Sequence, residues 1–125
     1  MANELTHNVS LVLANGDLDS VSIVPGSDSI TQNTAAPVRV GGSQIIGTTE
    51  EALALTDITT NGWAYFRNRD ATNFVEIGVK PAATFYPLVR LNAGERCAFR
   101  LSQGITPYAK ADTANVILQR DILDD

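Results

Sequence analysis

Short runs in which apolar and polar residues alternate recur along this chain. Between Asn73 and Val79, for example, Val75 and Ile77 are apolar and Glu76 between them is charged. A period of two places alternate side chains on one face of an extended strand. The pattern therefore predicts an all-β chain. The predicted strands are Thr6–Leu13, Leu18–Val24, Pro37–Val40, Ser43–Ile46, Gly62–Asn68, Asn73–Val79, Phe85–Leu91, Glu95–Leu101 and Asn115–Ile122.

Turn-forming residues separate these runs at intervals of about ten residues, which is typical of a β-sandwich or barrel. The clearest are Asn15-Gly16, Pro25-Gly26, Gly41-Gly42, Asn61-Gly62 and Asn92-Ala93-Gly94. We expect the Asn-Ala-Gly turn to close a hairpin between Phe85–Leu91 and Glu95–Leu101. The sequence thus predicts one antiparallel β-sandwich domain over residues 1–125.

Three stretches do not have the strand pattern. The first is Thr49–Asp57, which fits either a short helix capped by a threonine or a strand that points Leu53 and Leu55 inward. The strand is favoured because its surroundings are all β. Residues 25–36 and 104–113 are predicted as surface loops. Residues 1–6 are expected to be an N-terminal arm that orders on binding.

The net charge limits the classes of partner that the chain is expected to bind. The chain has 125 residues and a net charge of −5, which disfavours nucleic acid and anionic membranes as partners. Arg90, Arg96 and Arg100 lie on neighbouring predicted strands, so they form either a local basic face or cross-strand ion pairs. No apolar run reaches the roughly 20 residues of a membrane helix, and the start lacks a signal peptide. We therefore expect synthesis in a reducing cytosol.

Residues suited to catalysis are sparse and scattered. His7 is the only histidine, and Cys97 is the only cysteine. Cys97 shares a predicted face with Phe99 and Leu101, which indicates an inert core thiol. Glu76 and Glu95 are the best candidates for a carboxylate pair, but an outward strand face and a turn end explain them more simply. The sequence therefore predicts no enzyme and no cofactor.

Acidic residues offer two further candidates. The run from Asn15 to Asp19 alternates oxygen side chains as calcium loops do, but it lacks the remaining ligands of such a loop. An ordinary hairpin turn is the preferred interpretation. The acidic residues Asp121, Asp124 and Asp125 are expected to be solvated. The sequence therefore predicts no metal site.

Aromatic residues crowd both faces of two predicted strands. One set fills the core in this interpretation: Phe66, Phe85, Phe99 and either Phe74 or Val75. The other set, Trp63, Tyr65, Tyr86 and Leu88, is then available for an interface, where aromatic side chains bury much area. The alternative is that every one of these residues belongs to a single intrachain core.

Residues 50–123 carry a resemblance. The motifs are the strand Trp63-Ala64-Tyr65-Phe66-Arg67-Asn68, the turn Asp70-Ala71-Thr72-Asn73 with a strand that ends in Ile77-Gly78, the turn Leu91-Asn92-Ala93-Gly94-Glu95, and Ala109-Lys110-Ala111-Asp112-Thr113 before the last strand. In this order they resemble small structural proteins of bacteriophage virions. Asn, Asp and Gly at these turns form the fold and do not react.

The resemblance implies a jelly-roll-like β-sandwich that assembles as a homotrimer on a virion. We expect a non-enzymatic capsid decoration (cement) protein on the capsid surface, made in the host cytoplasm. Its expected partners are the major capsid protein and further copies of itself. A tail or spike component is the second role in that class. A carbohydrate- or receptor-binding module with exposed aromatic platforms is the alternative from another class.

Overall fold

The computed structural model describes residues 5–15, 18–30 and 39–125. Within these residues it contains eleven strands, one short 3-10 helix at Pro81–Ala83 and no α-helix. The chain is therefore all-β, as the sequence predicts. The strands are β1 (Leu5–Asn15), β2 (Leu18–Ile30), β3 (Arg39–Val40), β4 (Ser43–Ile46), β5 (Glu51–Ala52), β6 (Asn61–Asn68), β7 (Val75–Val79), β8 (Tyr86–Leu91), β9 (Arg96–Arg100), β10 (Tyr108–Ala111) and β11 (Val116–Asp124).

The chain divides into two compact units, residues 1–35 and 36–125. The first unit contains β1 and β2, which form a two-stranded antiparallel sheet. The second unit contains the other nine strands in two sheets. The prediction of one domain over residues 1–125 remains a prediction.

The β1–β2 hairpin extends further than the sequence pattern predicts. Leu5 lies opposite Ile30 and Thr6 opposite Ser29, so residues 25–30 belong to a strand rather than to the predicted loop. Residues 31–36 of that loop are outside the described residues. The predicted arm at residues 1–6 is likewise corrected, since Leu5 and Thr6 are part of β1, and residues 1–4 lie outside the described part. The loop was predicted from its polar composition, but polar side chains are also common on exposed strands.

The second unit is an antiparallel β-sandwich. One sheet has the strand order β5-β10-β7-β8, and the other has β3-β11-β6-β9 with β4 also paired to β11. The eight strands from β4 to β11 pair from the outside inward: β4 with β11, β5 with β10, β6 with β9 and β7 with β8. Successive pairs belong to alternate sheets.

The core between the two sheets receives side chains from both. Phe66 and Val75 are fully buried, and Phe99 packs against them from β9, with its ring centroid 5.7 Å from that of Phe66. Phe85 is only half-buried and is not in this cluster, so its predicted core position is wrong. The remaining core residues are Ile46, Leu53, Ala64, Ile77, Leu91, Ala109, Ala111, Val116, Leu118 and Ile122.

The predicted hairpin between Phe85–Leu91 and Glu95–Leu101 does not form. Strand β8 pairs with β7, and β9 pairs with β6 in the other sheet. The Asn-Ala-Gly turn therefore connects the two sheets. It is held by β6, because the Gly94 N–H donates to the Asn68 carbonyl and the Asn68 N–H donates to the Glu95 carbonyl. A local turn signal cannot distinguish these two outcomes.

Two predicted irregular segments contain strands. In the segment predicted as a loop at residues 104–113, Tyr108–Ala111 forms β10, whose inward residues are the small Ala109 and Ala111. Thr49–Asp57 contains no helix, and within it only Glu51–Ala52 forms a strand, so the strand interpretation holds for two residues. Leu53 is buried as expected.

Candidate functional site

Asn68 occupies the junction between the sheets, at the end of β6, and is fully buried. Its Nδ2 donates to the carbonyl of Asn73 at 2.8 Å and to that of Leu91 at 3.1 Å, and its Oδ1 accepts from the Asp70 N–H at 2.9 Å. These bonds join β6 to the chain segments before β7 and at the end of β8. Asn68, which ends the first strand of the motif, thus has a structural role at the junction of the two sheets.

The turn after Asn68 is held by a carboxylate. Asp70 Oδ2 accepts from the backbone N–H of Asn73 at 2.6 Å and of Thr72 at 2.8 Å. These two donors lower the pKa of Asp70 below its usual value, in that order of importance. Glu95 plays the same part in the next turn, since its Oε2 accepts from the Asn92 N–H at 2.8 Å. The motif residues therefore form turns.

The last acidic residues are not solvated, contrary to the prediction. Asp124 and Asp125 are 7% and 8% exposed, and Asp121 is half-buried. Asp124 Oδ1 accepts from the N–H groups of Thr59 at 3.1 Å and Thr60 at 2.7 Å. Strand β11 continues to Asp124, so its inward period places this carboxylate beside the chain that enters β6.

The two candidate groups for nucleophilic catalysis lie in different units. His7 is on β1, with its Nδ1 3.7 Å from Asp28 Oδ2. Cys97 is on β9, half-buried, and packs against the core. Burial raises the pKa of the Cys97 thiol to about 11. The thiol is therefore protonated at neutral pH, which agrees with the prediction of an inert cysteine.

We expect Cys97 to react slowly with a thiol reagent. At pH 8, a thiol with a pKa near 11 holds roughly a hundredfold less thiolate than an ordinary cysteine. Labelling with an aromatic disulfide should therefore be slower by that factor or more in the native protein than in denaturant. A Cys97→Ser/Ala98→Cys variant is the control, because Ala98 is exposed on the opposite face of β9. Equal rates for the two native proteins would contradict the expectation.

The residues considered for a carboxylate pair have structural roles, and the run considered for a calcium loop is only partly described. Glu76 lies on the outer face of β7, directly between Lys110 on β10 and Arg90 on β8. Glu95 holds its own turn, as described above. Gly16 and Asp17 of the Asn15–Asp19 run lie outside the described residues. Among the residues the structure describes, no group of three or more His, Cys, Asp or Glu side chains is placed to hold a metal ion.

The four predicted interface residues lie on two different sheets. Trp63 and Tyr65 are half-buried on the outer face of β6, and the Arg100 guanidinium lies over the Trp63 ring, 5.7 Å from its centroid. Tyr86 and Leu88 are 54% and 73% exposed on β8, the edge strand of the other sheet. The four residues predicted to form one interface thus belong to two separate surfaces.

Sequence reasoning missed an exposed apolar pair on β4 and β11. Ile45 lies directly opposite Ile117, and the two are 64% and 49% exposed. Since Val116 and Leu118 point inward, Ile117 stands on the face that should be polar. An isoleucine out of phase with its neighbours was the available signal.

Ile105, in the loop between β9 and β10, borders an open groove of about 500 Å³. Its other lining residues are Val79, Lys80, Pro81, Thr106 and Tyr108. Lys80 Nζ is already engaged, 3.2 Å from Glu50 Oε1 and 5.7 Å from the centroid of the Tyr108 ring. The groove therefore offers apolar contact area, while its cation is occupied within the chain.

Of the two alternatives for Arg90, Arg96 and Arg100, the common basic face does not form. Arg90 is on β8, in the other sheet from Arg96 and Arg100, and lies over the Phe74 ring at 3.5 Å. Arg100 donates to Asp125 at 2.6 Å. The outer face of the larger sheet instead brings Arg67 directly opposite Arg96. This pair of like charges is the least expected feature of the surface.

Comparison with known proteins adds no relative. A scan against protein-family models found no match, and searches of the curated proteins and of the solved structures found none either. Within the described residues, no helix is long and apolar enough to cross a membrane.

Proposed function

We propose that this chain is a non-enzymatic virion structural protein that decorates the outer surface of a phage capsid. The nested strand pairing of the second unit is the observation that carries the proposal. Eight strands in two sheets, with the first paired to the last and successive pairs in alternate sheets, support the jelly-roll fold that the resemblance implies. Viral capsid and lectin domains are both built on that fold. Because a fold alone does not fix a function, the site residues have to agree with it.

The chemistry of the motif residues supports a scaffold role. Asn68, Asp70 and Glu95 hold backbone groups, and Cys97 is a protonated half-buried thiol. Each of these side chains therefore has a structural role in the fold. Together with the resemblance to small virion proteins, this favours an assembly role over a reaction.

The β1–β2 hairpin supplies a surface for self-association. A sheet of only two strands is marginally stable in water on its own. Val9 and Leu11 on β1 are nevertheless 47% and 64% exposed. We propose that this hairpin packs against other copies of the chain in a homotrimer, where those side chains are buried.

Quantitative mass spectrometry of purified phage particles, separated into heads and tails, tests the proposed function. The expected result is a copy number on heads that is comparable with that of the major capsid protein. A few copies confined to tails would instead establish the tail or spike role. Absence from the particle would overturn the proposal.

We expect the purified chain to sediment as a trimer. We expect the substitution Leu11→Ser to weaken the association of its subunits. Losing a buried leucine contact raises the dissociation constant by about tenfold or more. Leu88→Ser is the matched control, because Leu88 is also an exposed leucine but lies on the sandwich. Sedimentation over a concentration series gives both constants. Dissociation by Leu88→Ser but not by Leu11→Ser would show that the hairpin is not the interface.

A carbohydrate-binding role is less well supported. Stacking on a sugar needs an uncovered aromatic face, and Arg100 lies over the Trp63 ring. Tyr86 is the exposed aromatic that remains from the predicted set, and it stands on an edge strand. Titration with a panel of glycans, followed by Trp63 fluorescence, should therefore give no saturable change.

A further inference from the structure

The outer face of the larger sheet carries a polar row without a carboxylate. Across β4, β11, β6 and β9, Ser43 lies opposite Gln119, Gln119 opposite Arg67, and Arg67 opposite Arg96. Side chains directly opposite each other in antiparallel strands are about 5 Å apart at Cβ, and like charges there destabilise the sheet. Two adjacent guanidinium groups therefore cost stability in the free protein.

The opposite sheet shows how this chain otherwise arranges its charges. There the corresponding row is Lys110, Glu76 and Arg90, in which one carboxylate lies between two cations. On the larger sheet itself, Arg39 pairs with Asp121. The row of Arg67 and Arg96 thus departs from a pattern that the chain follows elsewhere.

Neither arginine of that row has an acidic partner among the described residues. Arg67 is half-buried and Arg96 is exposed. A carboxylate bound from outside the chain would remove the repulsion between the two guanidinium groups.

The neighbouring residues indicate what kind of partner fits. Trp63 and Tyr65 precede Arg67 on the same face of β6, so the row is bordered by aromatic side chains. Trp, Tyr and Arg are the residues that most often dominate the energy of protein interfaces. A guanidinium binds a carboxylate through two parallel hydrogen bonds. A nucleic acid fits this row less well, because its affinity depends on the neutralisation of many phosphates and the row presents two guanidinium groups.

We propose that Arg67 and Arg96 form a docking site for carboxylates on an acidic protein surface. This inference rests on the proposed function and names the chemistry of the partner: the shell to which the protein attaches presents Asp or Glu side chains to this row. The two guanidinium groups share the incoming carboxylate. Tyr65, two residues before Arg67 on the same face of β6, contributes apolar contact beside it.

Binding of a dye-labelled oligoglutamate peptide, measured by fluorescence anisotropy at low ionic strength, tests the site. Arg67→Gln is expected to weaken binding about tenfold, and Arg96→Gln, which is more exposed, about threefold. Arg90→Gln is the matched control, because it also removes one positive charge but from a compensated row. It should leave the affinity within about twofold.

Thermal unfolding of the same variants separates docking from a structural role. Removing one of two facing cations relieves repulsion, so Arg67→Gln and Arg96→Gln should unfold at the same temperature as the parent protein or higher. A clear decrease for both would mean that the row stabilises the fold, and it would overturn the proposal.

Other outcomes overturn it as well. These are the absence of saturable peptide binding, an equal loss in all three variants, and tighter binding of an oligonucleotide of equal charge, which would identify a nucleic-acid site. The particle measurement remains independent of these variants. A protein abundant on heads with no arginine-dependent binding refutes only this inference, whereas arginine-dependent binding by a protein absent from particles refutes only the proposed function.

Discussion

Gly78→Ala is expected to destabilise the sandwich by about 3 kcal/mol or more. Gly78 lies where the register between β7 and β8 shifts, and it is buried. An added Cβ would clash with the Tyr86 carbonyl oxygen and would lie 2.8 Å from Pro87 Cα. Both are backbone atoms, so they move only if the strand pairing is broken. Urea denaturation followed by Trp63 fluorescence measures the loss.

Gly47→Ala is the matched control for this substitution. Its added Cβ would meet nothing closer than Glu51 Oε2 at 3.5 Å, which is an ordinary contact. The expected change is about 1 kcal/mol or less, of either sign, because alanine also restricts the unfolded chain. If the two variants had the same stability, the close approach of β8 to Gly78 would not be a constraint on this fold.

Asn68→Ala is expected to lower the free energy of unfolding by about 3 kcal/mol, because two carbonyl groups at a buried site lose their hydrogen-bond donor. The carbonyls of Leu91 and Asn73 lose their partner, and the Asp70 N–H loses its acceptor. The two sheets are joined at this point, so the variant should unfold in one transition at a lower urea concentration with an unchanged slope.

Two further variants sharpen this test. Asn73→Ala removes an asparagine of the same turn whose side chain accepts an exposed hydrogen bond from Thr113 and donates one to the Asp70 carboxylate, and it should cost about 1 kcal/mol or less. Asn68→Asp keeps the shape but sets a carboxylate against two carbonyl oxygens. Its cost should be large at neutral pH and shrink in acid, because a protonated carboxyl group can donate again. A cost for Asn68→Ala below that of Asn73→Ala would contradict the assigned role.

The two outer faces of the sandwich have different consequences for assembly. The smaller sheet compensates its charges within the chain and exposes Tyr86 and Leu88 near one edge. The larger sheet leaves Arg67 and Arg96 uncompensated beside aromatic residues. The proposed docking would therefore use the larger sheet and leave the outer face of the smaller sheet exposed.

The sequence by itself determined the strands with a strong period of two. Val75 and Ile77 alternate with outward residues, and their strand forms with nearly the predicted bounds. Such a pattern is local, because burial of one strand face requires only that every second residue be apolar. Strand β10 was missed because its inward residues are alanines, whose small side chains give a weak apolar signal.

Tertiary structure alone decided how the strands pair and what the polar residues do. The turn at Asn92–Gly94 crosses between sheets because Asn68 holds it from another strand, and no feature of the turn itself shows this. Asp124 is buried because Thr59 and Thr60, just before β6, supply N–H donors to it. Arg67 faces Arg96 because of the register of β6 and β9. Each of these outcomes depends on a partner far away in sequence, and a local pattern of apolar and polar residues does not specify which strand will provide it.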